Sequence, residues 1–140
     1  MIDIERLVIR EYDRIGKRRR FGMNQDHMRA RTKRFAHACV RTAAKLSGDP
    51  LRSHIRGQLI RCATSVAANY RAACLAQSKA GFSTKISIVL EEADESVFWI
   101  EFAMDESILA DETTHSLLKE AKELAAIFFA TRRTAKSRAA

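Results

Sequence analysis

Glu91, Glu92, Asp94 and Glu95 place four carboxylates within five positions, and Glu112 stands three residues before His115. Side chains of these types ligate metals inside helical bundles, so metal chemistry is the first possibility to weigh. A di-iron carboxylate bundle needs two Glu-x-x-His elements and two further glutamates, all projecting inward. This chain has one such element, Glu112 to His115, placed at a turn, and Glu91, Glu92 and Glu95 lie off the apolar seam of their helix. His27, His37 and His54 are isolated and read as surface or structural residues. Cys39, Cys62 and Cys74 lack paired-ligand spacing and fall on apolar faces, where a thiol packs as a small hydrophobe in a reducing cytoplasm. No Gly-x-Ser-x-Gly, phosphate-cradling glycine loop or Cys–His nucleophile pair occurs. No metal, no cofactor and no catalytic residue is expected, and an enzyme is not expected either.

Charge is more informative. Lys and Arg outnumber Asp and Glu 25 to 17, a formal net charge of +8. The excess is uneven. Residues 35–80 carry seven basic residues against one acidic, whereas residues 81–112 carry one against nine. On a helical wheel of the first clear amphipathic stretch, Arg34, Arg41 and Lys45 fall opposite the apolar stripe, and Arg31 and Lys33 flank it. The following stretch adds Arg52, Arg56 and Arg61. Such cations commonly form no more than a solvated face. With so few acidic neighbours they also suit a phosphate backbone, RNA or DNA, bound by counterion release without base readout. Repetition around an oligomer multiplies that effect.

The elements that must position these residues are helical. A chain of 140 residues, 46% hydrophobic and 30% charged, suits one soluble domain. One Pro and five Gly leave little room for many short strands and turns. No apolar run is long enough for a membrane span, and the charged N-terminus does not read as a signal peptide, so a cytoplasmic location is expected. The first helix is expected from about Asn24–Asp26 to Leu46, with Met28, Phe35, Cys39, Ala43 and Leu46 on one face. Gly48-Asp49-Pro50 stops it. The second runs from about Ser53 to Ala76, with Ile55, Leu59, Cys62, Val66 and Tyr70 inward. The third spans about Gly81 to Ala110 on a seam of Phe82, Ile86, Val89, Ala93, Val97, Ile100 and Met104. After a turn at Asp111–Thr114, the fourth carries Leu117, Ala121, Leu124 and Phe128 inward. The expected fold is all-α, an antiparallel up-and-down four-helix bundle over residues 23–136 with a tail at 137–140. Residues 1–22 form either a short extra helix on Ile4, Val8 and Ile15 or an extension outside the bundle.

Two surfaces stand out. On the third helix Phe98, Phe102 and Leu109 fall opposite the seam, with Trp99 beside them. Contiguous exposed aromatics are rare on monomers, which predicts a subunit contact unless the N-terminal segment folds back over them. On the second helix Ala63, Ala67, Ala68, Ala72, Ala73 and Ala76 allow close approach of a neighbour. Thr64, Ser65 and Asn69 are polar at mid-helix, where they predict interhelical hydrogen bonds or a subunit contact.

Four stretches in order carry a family resemblance: Arg31–Ala36 (RTKRFA), Gln58–Arg71 (QLIRCATSVAANYR), Phe82–Lys85 (FSTK) and Glu92–Trp99 (EADESVFW). They resemble the bacterial four-helix-bundle proteins named for open reading frames in intervening sequences of 23S ribosomal RNA genes (S23-like proteins). The resemblance spans about Met28 to Lys136. It implies an up-and-down bundle assembled as a homopentamer, with no catalytic residues to carry over. A similar bundle is the accessory protein of diversity-generating retroelements, a basic pentamer that works with reverse transcriptase and nucleic acid. Two positions depart from the family pattern. Ala72 stands where a Glu is usual, and Gly81 stands where an acid would complete a capping box with Ser78.

The reading expected from the sequence is a non-enzymatic homo-oligomer, a pentamer by resemblance, that contacts nucleic-acid phosphates through Arg31, Lys33, Arg34, Arg41, Lys45, Arg52, Arg56 and Arg61. Phe98, Trp99, Phe102 and Leu109 would form the subunit contact. The alternative is a scaffold whose acidic third helix or hydrophobic surface docks a protein partner.

Overall fold

The computed structural model describes residues 25–139, so the segment 1–22 lies outside the described residues. Four helices follow in order: α1 Gln25–Ala43, α2 Pro50–Cys74, α3 Lys79–Asp105 and α4 Glu112–Ala139. No strand occurs among the described residues. Each helix packs on the next along the chain, and α1 also touches α4, though much more lightly. Cross-helix pairs fix the directions. His54 meets Trp99 while Arg61 meets Glu92, so α2 and α3 run antiparallel. Arg31 meets Glu120 while Lys45 meets Asp111, so α1 and α4 do too. The result is the expected four-helix bundle.

Local chemistry sets the helix ends. Gly48 adopts φ 110°, a left-handed conformation that glycine accepts without a Cβ clash. Asp49 and Pro50, expected to stop one helix, in fact start the next. The Asp49 carboxylate accepts the Arg52 N–H at 2.8 Å, and Pro50 takes the first helical position, where its missing N–H is no loss. Ser78 caps α3 by accepting the Gly81 N–H at 3.0 Å, without the acid that would complete a capping box. Asp111 caps α4, its Oδ1 accepting both the Thr114 N–H and the Thr114 hydroxyl at 2.7 Å.

The expected inward residues of α1, α2 and α4 are all buried, Leu46 included although α1 ends at Ala43. In α3 the seam is shifted. Ser83, Leu90, Ser96 and Ala103 are buried together with Ile86, Val89, Ala93 and Ile100, while Phe82, Val97 and Met104 lie half-buried at its edge. Small residues face the centre because α3 packs closely on both α2 and α4. The Ser96 hydroxyl meets this burial by donating to the Glu92 carbonyl at 2.8 Å. Thr64 and Asn69 behave similarly. They bond back to Ile60 O and Ser65 O within α2, not across to another helix.

A main core runs the length of the bundle, and a second cluster of Leu46, Ile55, Ala103 and Leu109 closes the end where α3 turns into α4. Phe128 is 1% exposed and packs against Tyr70 with ring centroids 5.4 Å apart. Phe128→Ala should therefore lower unfolding stability by about 3–5 kcal/mol. Urea titration followed by helical circular dichroism will measure it, and a change under about 1 kcal/mol would mean that the site collapses freely.

Candidate nucleic-acid interface

The eight candidate cations separate by what holds them. Lys33, Arg34 and Arg41 are exposed on α1 and have no ion-pair or hydrogen-bond partner among the described residues. His37 lies between them on the same face, also exposed. Spacings of three, four and seven keep this set on one side of the helix. Lys45 continues the line past the end of α1, within 3.6 Å of the Asp111 carboxylate. Both partners are more than half exposed, so this pair is weak and separable.

The other four have local employment. Arg52 pairs with the Asp49 carboxylate at the start of α2. Arg56 reaches the Leu46 carbonyl at 3.4 Å and so serves the end of the α1 turn. Arg61 pairs with Glu92 at 3.1 Å and with Glu95, which neutralises it. These contacts also explain two members of the acidic cluster on α3. Among the described residues no group of three or more His, Cys, Asp or Glu is placed to hold a metal ion.

Arg31 is a correction. It is 8% exposed, and its guanidinium donates to both oxygens of Glu120, at 2.7 and 2.8 Å, and to Glu123 at 2.7 Å. The hydrogen bonds that Arg31 donates to Glu120 raise its pKa against the opposing effect of burial, which locks the charge in place. The reason is positional. Arg31 stands three residues after Met28 and four before Phe35, on the inward stripe. The readable signal was that spacing, together with Glu120 and Glu123 one turn apart on the last helix. Arg31 is therefore turned into the α1–α4 seam and not presented to solvent with the other cations.

Along the seam between α1 and α4 lies an open groove of about 590 Å³. Arg34 and Arg41 stand on one rim, with Thr113 and Ser116 across from them. Phe35, Ala38 and Leu117 supply apolar wall, and the Arg31–Glu120–Glu123 bridge crosses it. No periodic pattern along the chain marks this groove, because it lies where α1 and α4 meet only lightly.

On α3, Phe98, Trp99 and Phe102 form a real aromatic cluster, with centroids 4.9 to 6.0 Å apart. Phe98 is 52% exposed and Leu51 39%, whereas Trp99 and Phe102 are half-buried. His54 packs edge-on against Trp99 at 5.4 Å. Leu109, expected on this surface, is instead buried at 6% exposure in the end cluster. The wheel fails there because α3 ends at Asp105 and Ser107 takes φ 56°. That bend turns Leu109 inward, its N–H donating to the Ala103 carbonyl at 3.2 Å.

Residues 9–130 match the family model described as 23S rRNA-intervening sequence protein. The chain belongs to this family. Among solved structures it is similar to a protein of unknown function from the S23 ribosomal protein family of Bacteroides thetaiotaomicron. The two are 26% identical with a TM-score of 0.72, over 79% of this chain and 99% of that one. No curated protein matches. No helix among the described residues is long and apolar enough to cross a membrane.

Two outcomes follow from these contacts. Arg31→Ala removes the bridge between the first and last helices and should lower stability by about 1–3 kcal/mol, since Glu120 can partly rehydrate. Chemical denaturation will read the loss; an unchanged midpoint would show that the bridge contributes nothing net. The second concerns pH. Hydrogen bonds from Arg61 hold the Glu95 carboxyl below its usual range. A folded pKa below the unfolded value gives stability that is present at neutral pH and is lost as pH falls through the carboxylate range. Arg61→Gln should therefore flatten the decline in thermal midpoint below about pH 5. Identical acid limbs for the two proteins would refute the coupling.

Proposed function

We propose that this protein is a non-enzymatic nucleic-acid-binding homo-oligomer that contacts phosphates through α1 and reads no base sequence. The observation that carries this reading is the stripe Lys33, Arg34 and Arg41, exposed and without ionic partners among the described residues. Cations already paired within the fold gain little from a phosphate, because the new contact only replaces an old one. Unpaired cations on one helix face gain the full counterion-release term. Lys45 adds to the stripe by giving up a weak pair, whereas Arg52, Arg56 and Arg61 are secondary and Arg31 is excluded.

The assembly half of the reading rests on Phe98, Trp99 and Phe102, with Leu51 as a further exposed apolar side chain on α2. A half-exposed Phe on a rigid helix gains hydrophobic free energy when another subunit covers it. A pentamer is the number that the family resemblance implies. Repetition of the α1 stripe around such an assembly gives avidity without any base-specific contact.

Fluorescence anisotropy of labelled RNA and DNA across a salt series tests the binding. Affinity should fall log-linearly with salt. The triple variant Lys33→Glu, Arg34→Glu, Arg41→Glu should reduce the slope by about 2–3, close to one unit per lost contact, with helicity unchanged. Equal affinity of variant and wild type would remove the assignment; no binding by either at low salt would favour a protein-docking scaffold. In parallel, sedimentation velocity should show an oligomer that Phe98→Glu dissociates. A wild-type monomer would remove the assembly.

A further inference from the structure

The groove between α1 and α4 has its charges arranged in a particular order. Its outer rim is positive, with Arg34 and Arg41 two helical turns apart, about 10.5 Å along the axis. One end of its lining carries the carboxylates of Glu120 and Glu123, which hold Arg31 between them. Glu120 stays 32% exposed there, and each of its oxygens retains acceptor capacity beyond its Arg31 hydrogen bond. A phosphate is attracted to Arg34 and Arg41, whereas the bridge, one cation held between two carboxylates, keeps a net negative charge and does not attract it. A neutral planar group bearing N–H donors meets the opposite preference: apolar wall from Ala38 and Leu117, and a carboxylate acceptor at the bridge end.

We propose that the groove admits a nucleobase, so that the preferred ligand is a single-stranded nucleic acid with phosphates on Arg34 and Arg41 and one base turned inward. This deepens the phosphate-binding reading and rests on it. In a duplex the bases are paired and stacked, so only the rim contacts are available to it. A single strand can turn a base out without breaking pairs. Adenine, cytosine and guanine all carry an exocyclic amino donor of the kind a Glu carboxylate accepts, so the contact favours an unpaired base without reading a sequence. Ser116, exposed on the α4 side of the groove, lines it as well.

The test compares single-stranded DNA, single-stranded RNA and duplex DNA of equal phosphate number at one salt concentration, for wild type and for Ser116→Trp. Ser116 is exposed, so the indole fills the groove without entering the core. Wild type should prefer the single strands by about tenfold, equivalent to about 1.4 kcal/mol. Ser116→Trp should bring single strands down to the duplex level while leaving duplex affinity and its salt slope unchanged. Ala38→Leu, a smaller filling from the other wall, should give a partial effect in the same direction. Equal wild-type affinity for single strand and duplex would overturn the base-in-groove inference and leave phosphate binding standing. A preference that survives both fillings would overturn it as well. Failure of wild type to bind any of the three would overturn the phosphate reading and this inference with it. The RNA and DNA arms decide whether the 2′-hydroxyl contributes.

Discussion

The bridge from Arg31 to Glu120 and Glu123 is the contact on which the arrangement of the first and last helices depends. Consecutive helices of the bundle pack broadly on one another, but α1 meets α4 only lightly. A four-helix bundle normally closes this last seam with apolar side chains. Here a guanidinium with 8% exposure stands in the seam and makes three charge-assisted hydrogen bonds to two carboxylates. Such a bridge is directional where hydrophobic contact is not, so it sets the register of α1 against α4. It also holds the two helices apart, and the groove is the space that remains. Desolvation of three charged groups offsets much of their attraction, so register and shape are the firmer consequences.

Charge segregation follows from the same topology. Chain-order packing places α1 diagonally across the bundle from α3. The basic stripe of α1 and the acidic, aromatic face of α3 therefore point to opposite sides. Arg61 on α2 pairs with both Glu92 and Glu95 and offsets one of their two charges, which removes part of the negative field nearest the core. Glu101 pairs with Lys122, and the other α3 acids, Glu91, Asp94 and Asp105, are exposed on the helix that carries the half-exposed Phe98. A polyanion approaching this molecule is steered to one side and repelled from the other.

Most of the fold was legible because the apolar period is strong: every inward residue expected on α1, α2 and α4 is buried. The errors share a cause. A helical wheel assumes that the helix continues and that polarity reports exposure. The first assumption failed at Leu109, beyond the bend at Ser107. The second failed at Ser83 and Ser96, which are small enough to face a close neighbour and can bond within their own helix, and at Arg31. There a charged residue occupies an inward position because its partners come from a helix almost ninety residues away. Long-range pairing of that kind leaves no periodic trace. Lys33, Arg34 and Arg41 were placed correctly because an unpartnered exposed cation is what the wheel assumes by default.

The groove and the cation stripe are linked more closely than their separate origins suggest. Arg34 and Arg41 belong to both, being outward on α1 and yet on the rim over α4. Had α1 closed against α4 with apolar contacts, the two arginines would flank a filled ridge, and only a flat electrostatic surface would remain. Because a charged bridge spaces the helices, the same cations border a concave site whose interior carries the opposite sign. A surface of fixed cations discriminates poorly among polyanions, since every backbone offers similar phosphates. A cation rim around an acceptor-bearing groove can discriminate, through what lies beside the phosphate. The buried arginine, turned into the seam, is thus the residue that gives the exposed ones a shape to act with.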